Sequence, residues 1–428
     1  MNTLNKASIW GLLALLLSAC GGGGSEAPAS SGIAFATEEA LGEALFHDTN
    51  LSMNRTQACA TCHDPEHAFI ETRQDPLTLT GSGQQLGVSL GDDASSIGTR
   101  NTPTAAYARF VPDFSDLPFT DDTENSDING FVGGQFLDGR EVDLKGQAGG
   151  PPLNPVEMNM PDKASVIERL KENAFYVEAF EHYYGENILD DVDQAYLKMT
   201  TAIGKFEKTD VFAPFDSKWD KFLNGEYTMT LAETSGMAIF MSPANSSCVS
   251  CHLNDENQTA SKKETFTNFR YFNLGVPVNS ELRNRHSVAG TEADFVANGD
   301  PGLFGNDAVT DDNLNGRNKD DLKGKFKTPT LRNVAVTGPY MHNGAFKELS
   351  TVLKFYDFRG SPTGNNNLIN PETGEAWDVT DYPATIDHDL LGQQAMGEDQ
   401  IKDLECFLRL LTDERYEHLL PENSWCKI

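Results

Sequence analysis

Two stretches carry the same five-residue pattern. Cys59, Cys62 and His63 form C-x-x-C-H in "ACATCHDPEHAF", and Cys248, Cys251 and His252 repeat it in "SSCVSCHLNDEN". Three chemistries use closely spaced thiols with a histidine: a redox dithiol, half of a zinc site, and covalent haem attachment. Zinc needs two further ligands per site to close a tetrahedron; no second C-x-x-C lies near either motif, and no further histidine near the second, while His67 alone follows the first. A redox dithiol calls for a βαβ context that is absent here. Covalent haem needs this spacing itself: thiols three residues apart reach the two vinyl groups on one porphyrin edge, and the adjacent histidine lies beneath the iron as axial ligand. Chance would produce the motif roughly 0.002 times in a chain of this composition, so two copies imply two covalently bound haem c groups.

The elements that must position these motifs are also duplicated. "TEEALGEALFHD" precedes the first, with Thr37 placed to cap a helix, acidic residues in its first turn, and Leu41, Ala44 and Leu45 on one face. "TLAETSGMAIFMS" precedes the second, with Thr230 as the cap. Both contain G-x-x-[Leu/Ile]-Phe, at Gly42 to Phe46 and Gly236 to Phe240. Helix-period apolar spacing continues in residues 162–185, 190–209 and 397–417, the last through Ile401, Leu404, Leu408 and Leu411. Gly/Asn/Asp-rich loops are expected at residues 80–96, 119–134 and 278–324. The fold class is therefore mainly α.

At 428 residues the chain suits two domains, expected at 34–225 and 226–428. Its first 19 residues hold an apolar run too short to span a bilayer and read as an export signal. Leu17-Ser18-Ala19-Cys20 resembles the bacterial lipobox, which makes Cys20 the lipidated first residue and residues 20–33 a flexible tether. An exported, periplasmic or cell-surface protein anchored by lipid, most simply to the outer membrane, follows. In an oxidising compartment Cys406 and Cys426 either form a disulfide that pins the C-terminal tail or remain as two buried thiols. The formal charge of −31 excludes nucleic-acid binding, and would steer a basic protein partner as well as keep the surface solvated.

Further segments resemble the bacterial di-haem cytochrome c peroxidases and their MauG-type relatives: "RNTPT" from Arg100, "FLDGR" from Phe136, "GQAGGPPLNPVEM" from Gly146, and "FKTPTLRNVAVTGPYMHNGAFKELSTVLKFY" from Phe326. The resemblance spans about Ala36 to Thr412. It implies two cytochrome c-like domains, one peroxide-reactive and one electron-transferring haem, and a calcium ion between them. Carried onto this chain, His63 is the proximal ligand on the peroxide-reactive side and His252 on the other. Glu157 matches the distal acid–base carboxylate, with Gln147 and Pro151 as its neighbours. Asn101, Thr337 and Pro339 match calcium ligands. Tyr356 falls where methionine-ligated members place their sixth ligand, as in the MauG type, while Met341 reads as packing. No histidine occurs between His67 and His182, and His67 is too close to His63 to reach over the opposite face, so the first iron is expected to be open. Leu137 departs from the family, which carries an inter-haem tryptophan there. That leaves direct transfer or another aromatic such as Phe136.

The resulting expectation is an enzyme that reduces hydrogen peroxide. Its electron donor would be a small cytochrome c, a cupredoxin, or an aromatic side chain of a partner protein. The competing reading is a non-catalytic, membrane-tethered di-haem electron carrier, which has no use for Glu157 and Gln147 or for an open iron.

Overall fold

The computed structural model describes residues 34–73, 87–116, 130–242, 248–253, 262–360, 367–391 and 395–427. The export signal, the tether and Cys20 lie outside the described residues, as do parts of the loops expected at 80–96 and 119–134.

Helices dominate. In the first half these are α1 (Glu38–Phe46), α2 (Cys59–Cys62), α3 (Leu144–Ala148), α4 (Lys163–Lys171), α5 (Ala174–Tyr184) and α6 (Val192–Glu207). There follow α7 (Lys218–Leu223), α8 (Leu231–Phe240), α9 (Cys248–His252), α10 (Ser280–Ala289), α11 (Ala293–Asn298), α12 (Leu349–Gly360) and α13 (Glu398–Arg409). Thr37 caps α1 by accepting from the Ala40 amide, and Thr230 forms a capping box with Glu233 at α8.

Each half is organised around one close helix crossing, and a glycine makes it possible. A Cβ on Gly42 would lie 2.0 Å from the Ala202 carbonyl oxygen of α6; one on Gly236 would lie 1.9 Å from the Asp403 carbonyl oxygen of α13. In both crossings the next-nearest side chain is a phenylalanine four residues further along the partner helix, Phe206 or Phe407, at 3.0 Å. The phenylalanines ending the two G-x-x-[Leu/Ile]-Phe segments, Phe46 and Phe240, are fully buried and pack edge-on or tilted against those partners. The repeated motif is thus a helix-crossing signal.

Two large buried clusters result, beside two smaller ones that draw on both halves. Of the large pair, one runs from Leu41 to Ala213, the other from Trp219 to Leu411, so α7 packs with the second cluster although it precedes residue 226. Two antiparallel ribbons line the seam: β1 (Ser115–Asp116) with β2 (Phe131–Val132), and β3 (Tyr271–Phe272) with β4 (Phe326–Lys327). A bridge from Val132 to Arg270 joins them across the halves.

Two local expectations are corrected. Residues 162–185 form two helices, because the Asn173 side chain caps α5 by accepting from the Phe175 amide and ends the continuous run. The stretch 278–324 contains α10 and α11. The α10 sequence buries only Leu282 and His286, too little to write an apolar stripe. Cys406 and Cys426 form a disulfide that ties α13 to the C-terminal tail.

Candidate functional site

Each C-x-x-C-H motif is one short turn of helix whose histidine is held in the same way. His63 Nδ1 donates to the Phe69 carbonyl at 3.1 Å, and His252 Nδ1 donates to the Phe266 carbonyl at 3.1 Å. With the proton fixed on Nδ1, Nε2 of each ring offers its lone pair. Burial lowers both imidazole pKa values, His252 to about 4, so each ring is neutral and fit to bind a metal. The carbonyls are aimed by left-handed backbone at Phe69 and Phe266 (φ +56° and +55°). Burial likewise pushes the Cys62 and Cys251 thiols up to about 12. Cys59, Cys62 and Cys251 take part in no disulfide, in contrast to the Cys406–Cys426 pair.

A cavity of about 340 Å³ opens over the second motif. It is bordered by Cys248, Cys251, His252, Tyr356 and Met341, with apolar walls from Phe240, Leu353 and Leu404, and it extends along the seam to Leu137, Phe136 and Tyr107. Its volume, its apolar lining and its convergent thiols and imidazole suit a porphyrin. Tyr356 projects from α12 and lies within electrostatic reach of both the Cys251 and the Cys248 thiols. Met341 reaches the same cavity from a turn, at φ +72°.

Around the first motif the structure gathers polar groups. Gln147 lies on α3, and Pro151 opens the short 3₁₀ turn after it. Glu157 follows, with its backbone anchored by the Asn154 carbonyl and by the Asp92 amide. The field of the Glu157 carboxyl is felt by both Cys59 and Cys62. Burial raises its pKa, against the opposing pull of Arg140 and a hydrogen bond from Asn154. Arg140 stacks on Phe136, 3.6 Å from the ring centre, and Phe136 borders Gly150. Two buried atoms near this motif lack hydrogen-bond partners among the described residues: Gln57 Oε1, two residues before Cys59, and Glu207 Oε2, whose carboxyl burial raises to about 8. Polar atoms held ready beside paired thiols and a neutral imidazole fit a bound group with polar substituents. His67 pairs with Asp64 at 2.7 Å and is 43% exposed, a surface contact.

The candidate calcium residues also come together. Asn101, Thr337 and Pro339 border one small cavity at the seam with Gly87 and Glu71. Asn101 Nδ2 donates to the Gly87 carbonyl at 3.0 Å, leaving the amide oxygen as the end available to a cation. Among the described residues no cluster of three or more His, Cys, Asp or Glu side chains could hold a metal.

One repeat escaped the sequence reading. Thr102-Pro103-Thr104 and Thr328-Pro329-Thr330 occupy equivalent places: Thr104 Oγ1 donates to the Ala68 carbonyl, and Thr330 Oγ1 to that of Thr265. Three residues after each stands a left-handed residue, Tyr107 (φ +62°) and Asn333 (φ +63°). Both reach Asp413: Tyr107 OH donates to Oδ1 at 2.5 Å and Asn333 Nδ2 to Oδ2 at 2.8 Å. The T-P-T identity was the available signal. Arg100, bonded to Asp138 and to Asp300 across the seam, was likewise visible only as part of a motif.

Comparisons with known proteins agree with this geometry. Residues 36–228 match the family described as di-haem cytochrome c peroxidase. The chain is 42% identical over 413 residues to the methylamine utilization protein MauG of Paracoccus denitrificans, covering 96% of each chain. It is 28% identical to the cytochrome c peroxidase Ccp of Escherichia coli, covering 74% of this chain and 52% of that protein. Among solved structures, the diheme peroxidase BthA of Burkholderia thailandensis superposes with a TM-score of 0.72 at 28% identity, covering 90% of this chain and 88% of that one.

Proposed function

Because the chain belongs to the di-haem cytochrome c peroxidase family and is thereby a di-haem oxidoreductase acting on peroxide, we propose that hydrogen peroxide is reduced at the His63 side while electrons enter through the His252 side. The observation that carries this assignment is an asymmetry: a carboxyl, Glu157, lies within electrostatic reach of the thiols of the first motif, and a phenol, Tyr356, within reach of those of the second.

The residues divide the work as follows. Cys59 and Cys62 would anchor one haem and Cys248 and Cys251 the other, with His63 and His252 each offering Nε2 to an iron. When bound, the haems supply the redox-active iron at which the O–O bond is cleaved. Glu157 takes the proton from the near oxygen of peroxide and returns it to the far oxygen, which leaves as water. Burial raises the Glu157 pKa toward the working range, which lets one carboxyl perform both transfers. Gln147 and Pro151, in the segment that leads to Glu157, confine the peroxide. Tyr356 would offer its phenolate oxygen to the iron on the electron-transfer side, and Asn101, Thr337 and Pro339 would give oxygens to a calcium ion at the seam. The donor is a small redox protein or an aromatic side chain of a partner. Cys20 carries the lipid that holds the protein to a membrane.

Glu157→Gln tests the assignment. The amide keeps the shape but cannot accept and return a proton, so both haems should be retained and small ligands should still bind the open iron. Peroxide reactivity should fall by about 10²–10⁴-fold. Near-normal turnover would remove Glu157 from the mechanism. In the wild type, a ferric spectrum with one high-spin and one low-spin haem is expected; two low-spin haems would favour the electron carrier.

A further inference from the structure

We propose that Tyr107 is a redox-active side chain, oxidised reversibly during peroxide turnover, with Asp413 as the acceptor of its proton. Tyr107 lies between the two motifs. On one side its segment is bound to the first motif: the Ala105 amide donates to the Phe69 carbonyl, the same oxygen that receives His63 Nδ1–H. On the other side Tyr107 borders the cavity that contains Cys248, Cys251 and His252. It is 2% exposed, so an O–H proton released there is best taken by a base in contact.

Such a base is present. Asp413 Oδ1 accepts the Tyr107 O–H at 2.5 Å, and its other oxygen accepts from Asn333. Asp413 itself is wholly buried; burial raises its pKa, so it readily holds a proton, while the hydrogen bonds from Tyr107 and Asn333 and the Arg332 guanidinium oppose that rise. Among the other tyrosines of comparable burial, Tyr176 also meets a carboxylate, Asp48, but it does not border the cavity. Tyr271, Tyr416 and Tyr196 donate to backbone carbonyls of Gly133, Pro65 and Gly149, which cannot take a proton. Tyr227 does meet a carboxylate, Glu233, but near the start of α8, and it does not border the cavity.

The step balances within this pair. The Tyr107 O–H bond breaks, its proton forms a new O–H bond on Asp413 Oδ1, and one electron leaves the ring for the oxidising equivalent that hydrogen peroxide supplies on the His63 side. The product is a neutral phenoxyl beside a carboxylic acid. An electron arriving from the His252 side reverses both transfers, so Tyr107 is regenerated. With leucine at position 137, Tyr107 is an oxidisable ring at the seam.

The inference rests on peroxide being reduced at the His63 side. The experiment mixes the ferric, haem-loaded protein with hydrogen peroxide, freezes it within milliseconds, and records the organic-radical signal by electron paramagnetic resonance alongside peroxide consumption. The expected result is a tyrosyl signal that narrows when the tyrosine rings are deuterated and disappears in Tyr107→Phe, with both haem absorption spectra of the resting variant unchanged. Asp413→Asn keeps the shape but removes the base, and should slow the appearance of the signal roughly tenfold or more. This second variant also decides the matter if Tyr107→Phe does not fold. A signal that persists in Tyr107→Phe, fails to narrow with deuterated tyrosine, or forms at the same rate in Asp413→Asn would overturn the inference. Wild-type protein that consumes peroxide without any tyrosyl signal would overturn it alone, whereas protein that consumes no peroxide would overturn the peroxide assignment as well.

Discussion

Tyr356 and Met341 border one cavity but are held differently: Tyr356 by the rigid backbone of α12, Met341 by a turn at positive φ. If the phenolate of Tyr356 ligates iron, Tyr356→Phe should abolish the low-spin ferric signal and raise the midpoint potential, because an anionic donor stabilises ferric iron. Met341→Leu should change neither, since a packing methionine tolerates an aliphatic of similar volume. The reverse pattern in spectroelectrochemical titrations would make the methionine the ligand. Glu207 gives a residue-scale prediction for stability. Its folded-state pKa of about 8 lies above the ordinary carboxylate value, so between those limits the folded state holds a proton that the unfolded state has lost. Stability should therefore fall as pH rises from about 4.5 to 8, by up to about 1.4 kcal/mol per pH unit for this one group. Thermal melts of Glu207→Gln should show a flatter profile across that window; an unchanged slope would mean the carboxyl is ionised in the folded protein. Residues whose chemistry is local were legible in the sequence, since C-x-x-C-H is set by covalent reach. Tyr107 and Asp413 were not, because their pairing joins positions 306 residues apart.

Gly42 and Gly236 act at the scale of elements. Either position changed to alanine places a methyl group about 2 Å from a backbone oxygen that cannot move without its helix. Gly236→Ala should destabilise by about 1–3 kcal/mol or more, seen as a lowered melting temperature, while an alanine at the exposed Leu231 should have a small effect. A melting temperature equal to wild type would mean that α8 and α13 can separate freely. The sequence disclosed these helices through their caps and apolar spacing, and the repeat of glycine and phenylalanine marked something shared without saying that it was a crossing. It concealed α10, whose polar face carries no period, and it ran α4 into α5 because Asn173 is an ordinary helix-surface residue until its side chain is seen turned back on the chain.

For the whole molecule, the seam decides whether two haem proteins act as one. It is held by Arg100 to Asp300, by Tyr107 to Asp413, by Tyr416 to the Pro65 carbonyl, and by the Asn101 amide to the His342 carbonyl. A calcium ion bound by Asn101, Thr337 and Pro339 would sit beside the last of these. Removing calcium with a chelator should slow electron transfer between the two haems in stopped-flow reduction, and adding it back should restore the rate; identical rates after verified removal would leave the small cavity without a calcium role. The two crossings have a further consequence for how the protein comes to exist. Gly42 meets Ala202 and Gly236 meets Asp403, so the contact that organises each half joins its opening helix to its closing one, across 160 and 167 residues. Closing a loop of that length costs roughly 4–5 kcal/mol of chain entropy before the contact can repay it. Each half therefore acquires its architecture only after its own last helix is available, and until then its C-x-x-C-H segment remains on an open chain, accessible to whatever joins haem to it.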